Sequence, residues 1–106
     1  MIMGKVLTVW YTLYTIQVMK YFDWDKEKNE WLIENRGVSF EMCVMAFHNK
    51  GLLATVPNKH PYTHQKKFMI VLDDYVYVVP YVEDDEKVFL KTIYPSRKET
   101  KKYLLK

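Results

Sequence analysis

The chain has one cysteine, Cys43. A lone thiol excludes an internal disulfide, and no His, Cys and acid cluster in the sequence suggests zinc. No metal site is expected, and a single cysteine suits a reducing compartment. Glycine numbers three and proline four in 106 residues, which excludes collagen and low-complexity sequence. No P-loop, dinucleotide fingerprint or serine-hydrolase elbow occurs, so no cofactor is expected. The short spacing of the β-rich runs argues against a doubly wound sheet. A long apolar run is also missing. The first 18 residues, MIMGKVLTVWYTLYTIQV, carry Thr8, Thr12, Thr15 and Gln17, and are too short and polar for a membrane span. Lys5 makes a weak charged start and no small-residue cleavage site follows. The expectation is a cytoplasmic protein with no membrane partner.

What is present suits one folded domain. Hydrophobic residues make up 49%, aromatics 16% and charged residues 27%. A chain of this size buries about two thirds of its unfolded surface. The net charge of +3 is mild, but it hides an asymmetry. Residues 97–106 hold five cations and one acid, whereas residues 83–86 are four acids in a row.

The pattern predicts an α+β fold. A short aromatic strand over 20–24 leads to Asp25, a helix N-cap whose carboxylate accepts from backbone N–H groups. That helix runs to about Asn35 and stops at Gly37. Ser39 caps a second helix, with Phe40, Val44 and Phe47 as its stripe and Gly51 at its end. The link is short, which predicts a helical hairpin. A polar loop over 57–67 precedes β-rich runs at 68–72, 75–82 and 87–93. Short turns make these antiparallel, a sheet of three to four strands, and Pro80 predicts a bulge. Ser96 and Glu99 form a capping box ahead of a helix over 97–105, with Thr100, Tyr103 and Leu104 facing inward. Trp24 and Trp31 are expected in the core, and Cys43 is expected buried and unreactive. Residues 1–18 form an extension: β-prone by composition, with threonines at helical spacing, and read as strand. They are part of the folded chain or a translational extension ahead of Met19. A single domain follows over 19–106.

Residues 21–41, YFDWDKEKNEWLIENRGVSFE, and the closing KTIYPSRKETKKYL carry a resemblance. They resemble the opening of BrnT-family toxins and that family's last strand and helix start, over roughly residues 19–105. The resemblance implies a RelE- and ParE-like fold and a ribonuclease toxin of a type II toxin–antitoxin pair. It also implies a ribbon-helix-helix antitoxin that represses the operon. Two departures stand out. Tyr-Pro-Ser-Arg-Lys replaces the usual Ser-Ala-Arg, and the loop over 57–67 is longer and richer in histidine.

RNA cleavage without a metal needs a group to take the 2′-OH proton, cations for the phosphorane, and an acid for the leaving oxygen. Arg97, at a helix start and in the matched motif, is the first candidate, because its fork fits phosphate oxygens. Lys98 stands beside it, and Tyr94 offers stacking or a proton. His64 is the candidate proton carrier near neutral pH, ahead of His60 and His48. Lys28, in the opening motif, joins Lys91, Lys101 and Lys102 as RNA-binding cations. The bland alternative for each is a solvated surface charge or sheet packing. Two readings follow: an endoribonuclease toxin that inhibits translation and growth, or a non-catalytic nucleic-acid- or protein-binding module of the same fold. A third reading is a structural interaction protein whose N-terminal segment adds a strand to a partner or to its own copy, the latter giving a homo-oligomer.

Overall fold

A computed structural model describes the backbone of residues 7–13 and 16–105 and the side chains of residues 20–105. Along the chain come β1 (Leu7–Leu13), β2 (Ile16–Trp24), α1 (Lys26–Arg36), α2 (Phe40–His48), β3 (Leu52–Pro57), β4 (Lys66–Leu72), β5 (Tyr75–Glu83), β6 (Lys87–Leu90), β7 (Tyr94–Pro95) and α3 (Arg97–Leu104). The fold is α+β, as the pattern predicts.

The sheet is wider than the expected three to four strands and is mixed. Its order is β1-β2-β6-β5-β4-β3, with β7 also pairing β5. The β3–β4, β4–β5 and β5–β6 pairs are antiparallel, but β2 lies parallel to β6, with Tyr21 opposite Lys87 and Trp24 opposite Leu90. β3 went unpredicted because none of its residues is buried, so no apolar alternation marks it. It takes Pro57 and β4 takes Lys66 and Lys67, which shortens the polar loop to residues 58–65. β2 is one continuous strand from Ile16, so it passes through Met19, where the extension was expected to end.

Alternation along β5 separates two apolar layers. Val79 and Tyr81 face the main core with Phe22, Trp24, Leu32, Phe40, Val44 and Ile93. This is the side of α1 and α2. Val76 and Val78 face the other way, with Met69 and half-buried Tyr103 of α3. The helices therefore sandwich the sheet. In the main core Trp24 stacks on Phe40 (5.5 Å) and Phe68 on Tyr81 (3.9 Å).

Local chemistry explains most helix ends. The Asp25 carboxylate accepts from Lys28 N–H at 3.0 Å, and Ser39 and Ser96 hydroxyls accept from Met42 and Glu99 N–H groups at 3.1 Å. Gly37 adopts φ 67°, the left-handed stop. Asn29 ties α1 to the start of α2: its amide donates to Glu41 (2.9 Å) and its oxygen accepts from Phe40 N–H (2.7 Å).

Four expectations are corrected. The Ser96 N–H donates to the Val76 carbonyl (3.0 Å) and not to Glu99, so the capping box closes on one side only. Gly51 does not cap α2; Lys50 takes the left-handed turn (φ 61°). Gly51 instead permits close approach, since a Cβ there would meet the Ala46 oxygen at 3.0 Å and the Val71 oxygen at 3.3 Å. Trp31 is 42% exposed, because it sits beside the buried Leu32 on the flank of α1, between Lys28 and Arg36 (4.3 and 5.0 Å to its ring). Leu104 is 37% exposed at the end of α3.

The bulge expected at Pro80 lies on the strand opposite. β5 pairs β6 as far as Tyr81–Leu90 and β7 from Val78–Tyr94. Between them residues 91–93 oppose only 79 and 80, and Lys91 N–H donates to the Pro80 carbonyl at 2.8 Å. The missing N–H of Pro80 thus falls where regular pairing is already broken.

Candidate nucleic-acid interface

α3 covers only part of its side of the sheet. Beside it a strip stays open, and register says which residues line it. Tyr94 is opposite Val78 and so shares the α3 side. Tyr21, Asp23, Lys87 and Phe89 fall on the same side, because Phe22 and Val88 of the same strands enter the main core. Phe89 is half-buried, with Lys87 Nζ 5.8 Å and Lys91 Nζ 5.5 Å from its ring. Lys87 is offset by Asp23 at 3.6 Å. Lys91 is exposed and, among the described residues, has no ion-pair partner.

At the end of this strip the bulge and the loop enclose a groove of about 510 Å³, lined among others by Lys59, His60, Tyr62, Pro80, Lys91 and Tyr94. Asn58 N–H donates to the Gln65 carbonyl (3.0 Å) and Tyr62 N–H to the Lys59 carbonyl (2.7 Å), which fixes the loop over the end of the β3–β4 pair. The His60–Pro61 peptide is cis. Among the described residues no carboxylate lines the groove, and Lys59 and Lys91 are its cations. Burial, with Glu99 adding to it, raises the Tyr94 phenol above its ordinary value. At neutral pH it therefore keeps its proton and serves as a donor, not a base.

The predicted site residues divide. Tyr94 and Lys91 meet in the groove. His64 is exposed on the same loop but does not line the groove; His60 does. Arg97, Lys98, Lys101 and Lys102 are exposed on α3, also outside the groove. α3 is moored by Thr100, whose Oγ1 accepts from Val76 N–H at 2.9 Å. Ser96 and Thr100 both reach Val76, so the first turn of α3 lies several residues along β5 from Pro80. Lys28 is on α1, across the sheet, with its Nζ over Trp31. His48 ends α2 on that same far side.

Sequence reasoning missed Lys59 and Tyr62 and ranked His60 below His64. The signal was indirect. Once residues 52–57 are read as a strand paired with β4, the loop must fold back over that hairpin's end. The acid turn lies outside the groove. The Asp84 carboxyl accepts from Glu86 and Lys87 N–H groups at 2.8 and 2.9 Å, which lowers its pKa. Glu83 pairs with Lys20 at 2.6 Å. Cys43 is fully buried, and desolvation pushes its thiol far up. Among the described residues no group of three or more His, Cys, Asp or Glu is placed to hold a metal ion, and no helix is long and apolar enough to cross a membrane.

The chain matches no protein-family model and no curated protein at a significant level.

Proposed function

We propose that this chain is a cytoplasmic toxin of the BrnT type, an endoribonuclease that works without a metal and is held by a ribbon-helix-helix antitoxin. The observation that carries the reading is the groove, free of carboxylates among the described residues, where Lys59, His60, Lys91 and Tyr94 converge at the end of an aromatic and basic strip. Such a surface suits a splayed strand, with bases on Phe89 and Tyr21 and phosphate near the lysines. In this reading Lys91 and Lys59 stabilise the phosphorane, Tyr94 donates a proton or hydrogen bond, and His60 replaces His64 as proton carrier. Arg97, Lys98, Lys101 and Lys102 extend the positive field along α3. Lys28 takes no part.

A second reading, a non-catalytic binder of the same fold, is favoured by one feature. Among the described residues no hydrogen bond orients His60 or His64, and a catalytic base is usually held by a third group. Induced expression in a bacterial host separates the two. Growth and bulk RNA integrity are followed for wild type, Lys91→Ala/Tyr94→Phe and Arg97→Ala at matched soluble levels. The toxin reading expects arrest and RNA breakdown with wild type, both lost in the groove variant. Loss in Arg97→Ala alone moves the working surface to the start of α3. Harmless wild type with intact RNA supports the binder.

A further inference from the structure

Among the described residues the sheet ends on β1 and β3, and these two edges are treated differently. β3 carries a register shift between Leu52 and Ala54 and closes on Pro57. Both devices spoil an edge for further pairing. β1 has neither. Its sequence, LTVWYTL, holds no charge, glycine or proline, and no charged residue occurs from Val6 to Val18. An unblunted, uncharged β-prone edge is a template for another strand.

Register shows which backbone groups it offers. Tyr21 N–H donates to Glu86 on the β6 side, so Lys20 and Phe22 turn their backbone groups toward β1. Their partners there are Val9 and Leu7. By alternation, Thr8, Trp10 and Thr12 present N–H and C=O outward. These three positions are centred on Trp10, and so is the sequence. Read in either direction from Trp10, the strand gives Val or Tyr, then Thr, then Leu.

We propose that β1 pairs antiparallel with β1 of a second copy about a two-fold axis at Trp10. Trp10 then meets Trp10 of the second copy, Thr8 meets Thr12, Val9 meets Tyr11 and Leu7 meets Leu13. Aromatic–aromatic, Thr–Thr and aromatic–β-branched pairs are favourable cross-strand neighbours, and the self-complementarity is what a two-fold interface requires. No like charges are brought together. A foreign partner would need neither the palindrome nor its coincidence with the outward backbone groups. The axis stands perpendicular to the sheet, so both open strips lie on one side of a continuous sheet. The inference does not depend on the ribonuclease reading.

Sedimentation equilibrium on the full chain tests it. Wild type is expected at twice the 12.9 kDa chain mass. Trp10→Lys, which sets like charges opposite each other, is expected at the monomer mass. A wild type that is monomeric at all concentrations overturns the proposal, as does a folded Trp10→Lys that stays dimeric. Amide exchange on wild type gives a readout that no variant's folding disturbs. Slow exchange at Thr8, Trp10 and Thr12 supports the edge pairing. Fast exchange there, beside slow exchange at Val9 and Tyr11, overturns it.

Discussion

The two sides of the sheet are built by different means. The α1/α2 side is dry and continuous: Phe22, Phe40, Leu32, Val44 and Ile70 are fully buried, and aromatic pairs run through it. The α3 side has a small apolar patch around Met69, Val76 and Val78, and its helix is moored largely by polar bonds from Ser96 and Thr100 to Val76. The difference teaches a division of labour. One side supplies enough burial to hold the sheet rigid, and the other is then free to leave lysines and aromatic rings in water.

Substitutions should expose that division. Phe40→Ala, which empties a site against Trp24, is expected to cost about 3–5 kcal/mol in urea denaturation. A loss under about 1 kcal/mol would mean that the α1/α2 side does not dominate. Thr100→Val leaves the buried Val76 N–H without its acceptor and should cost about 1–3 kcal/mol. If its stability is unchanged, α3 is held by Tyr103 packing instead. Lys91→Ala should leave stability within about 0.5 kcal/mol but weaken RNA binding and lower the salt slope by about one. An unchanged slope would remove Lys91 from the interface.

High pH should act through the α1/α2 side. Burial raises the Cys43 thiol and the Tyr81 phenol, with Glu41 and Glu83 adding to the effect. The folded protein then keeps protons that the unfolded chain releases. Their stabilisation is complete below the ordinary thiol value of about 8.5 and declines as pH rises past it, and past about 10 for the phenol. Melting temperature followed from pH 7 upward should fall in that window, and Tyr81→Phe should flatten the upper part. A gain is expected from Lys50→Gly, where relief of the left-handed backbone should stabilise by about 1 kcal/mol.

Legibility in the sequence follows the same division. Asp25, Gly37, Ser39 and Ser96 announced their helix boundaries because caps are local chemistry. Trp24 and Cys43 were placed correctly from residue type, which failed for Trp31 because it cannot say which flank of a helix faces the core. The β2–β6 pairing joins segments far apart in the chain and leaves no local trace. β3 is an edge strand without a buried residue, so residues 52–56 carry no expectation of a strand, and the groove that depends on it could not be assembled. Tyr94 and Lys91 were found through residue type alone. That they converge with His60 and not His64 is a matter of loop geometry.

The extra residue between β6 and β7 has one more consequence. Side chains in an uninterrupted strand change sides at every step, so Leu90 in the main core would put Thr92 and Tyr94 there too. Instead Ile93 is fully buried in that core, and Tyr94 stands with Val78 on the other side. The insertion is a half-period phase shift. Without Lys91 or Thr92, plain alternation from Leu90 would still put Ile93 in the core and Tyr94 on the other side, so what the extra residue adds is a second side chain at the groove, Lys91 beside Thr92. Core and candidate site are thus written in one strand, and the extra residue lengthens the groove wall without moving Ile93 out of the core.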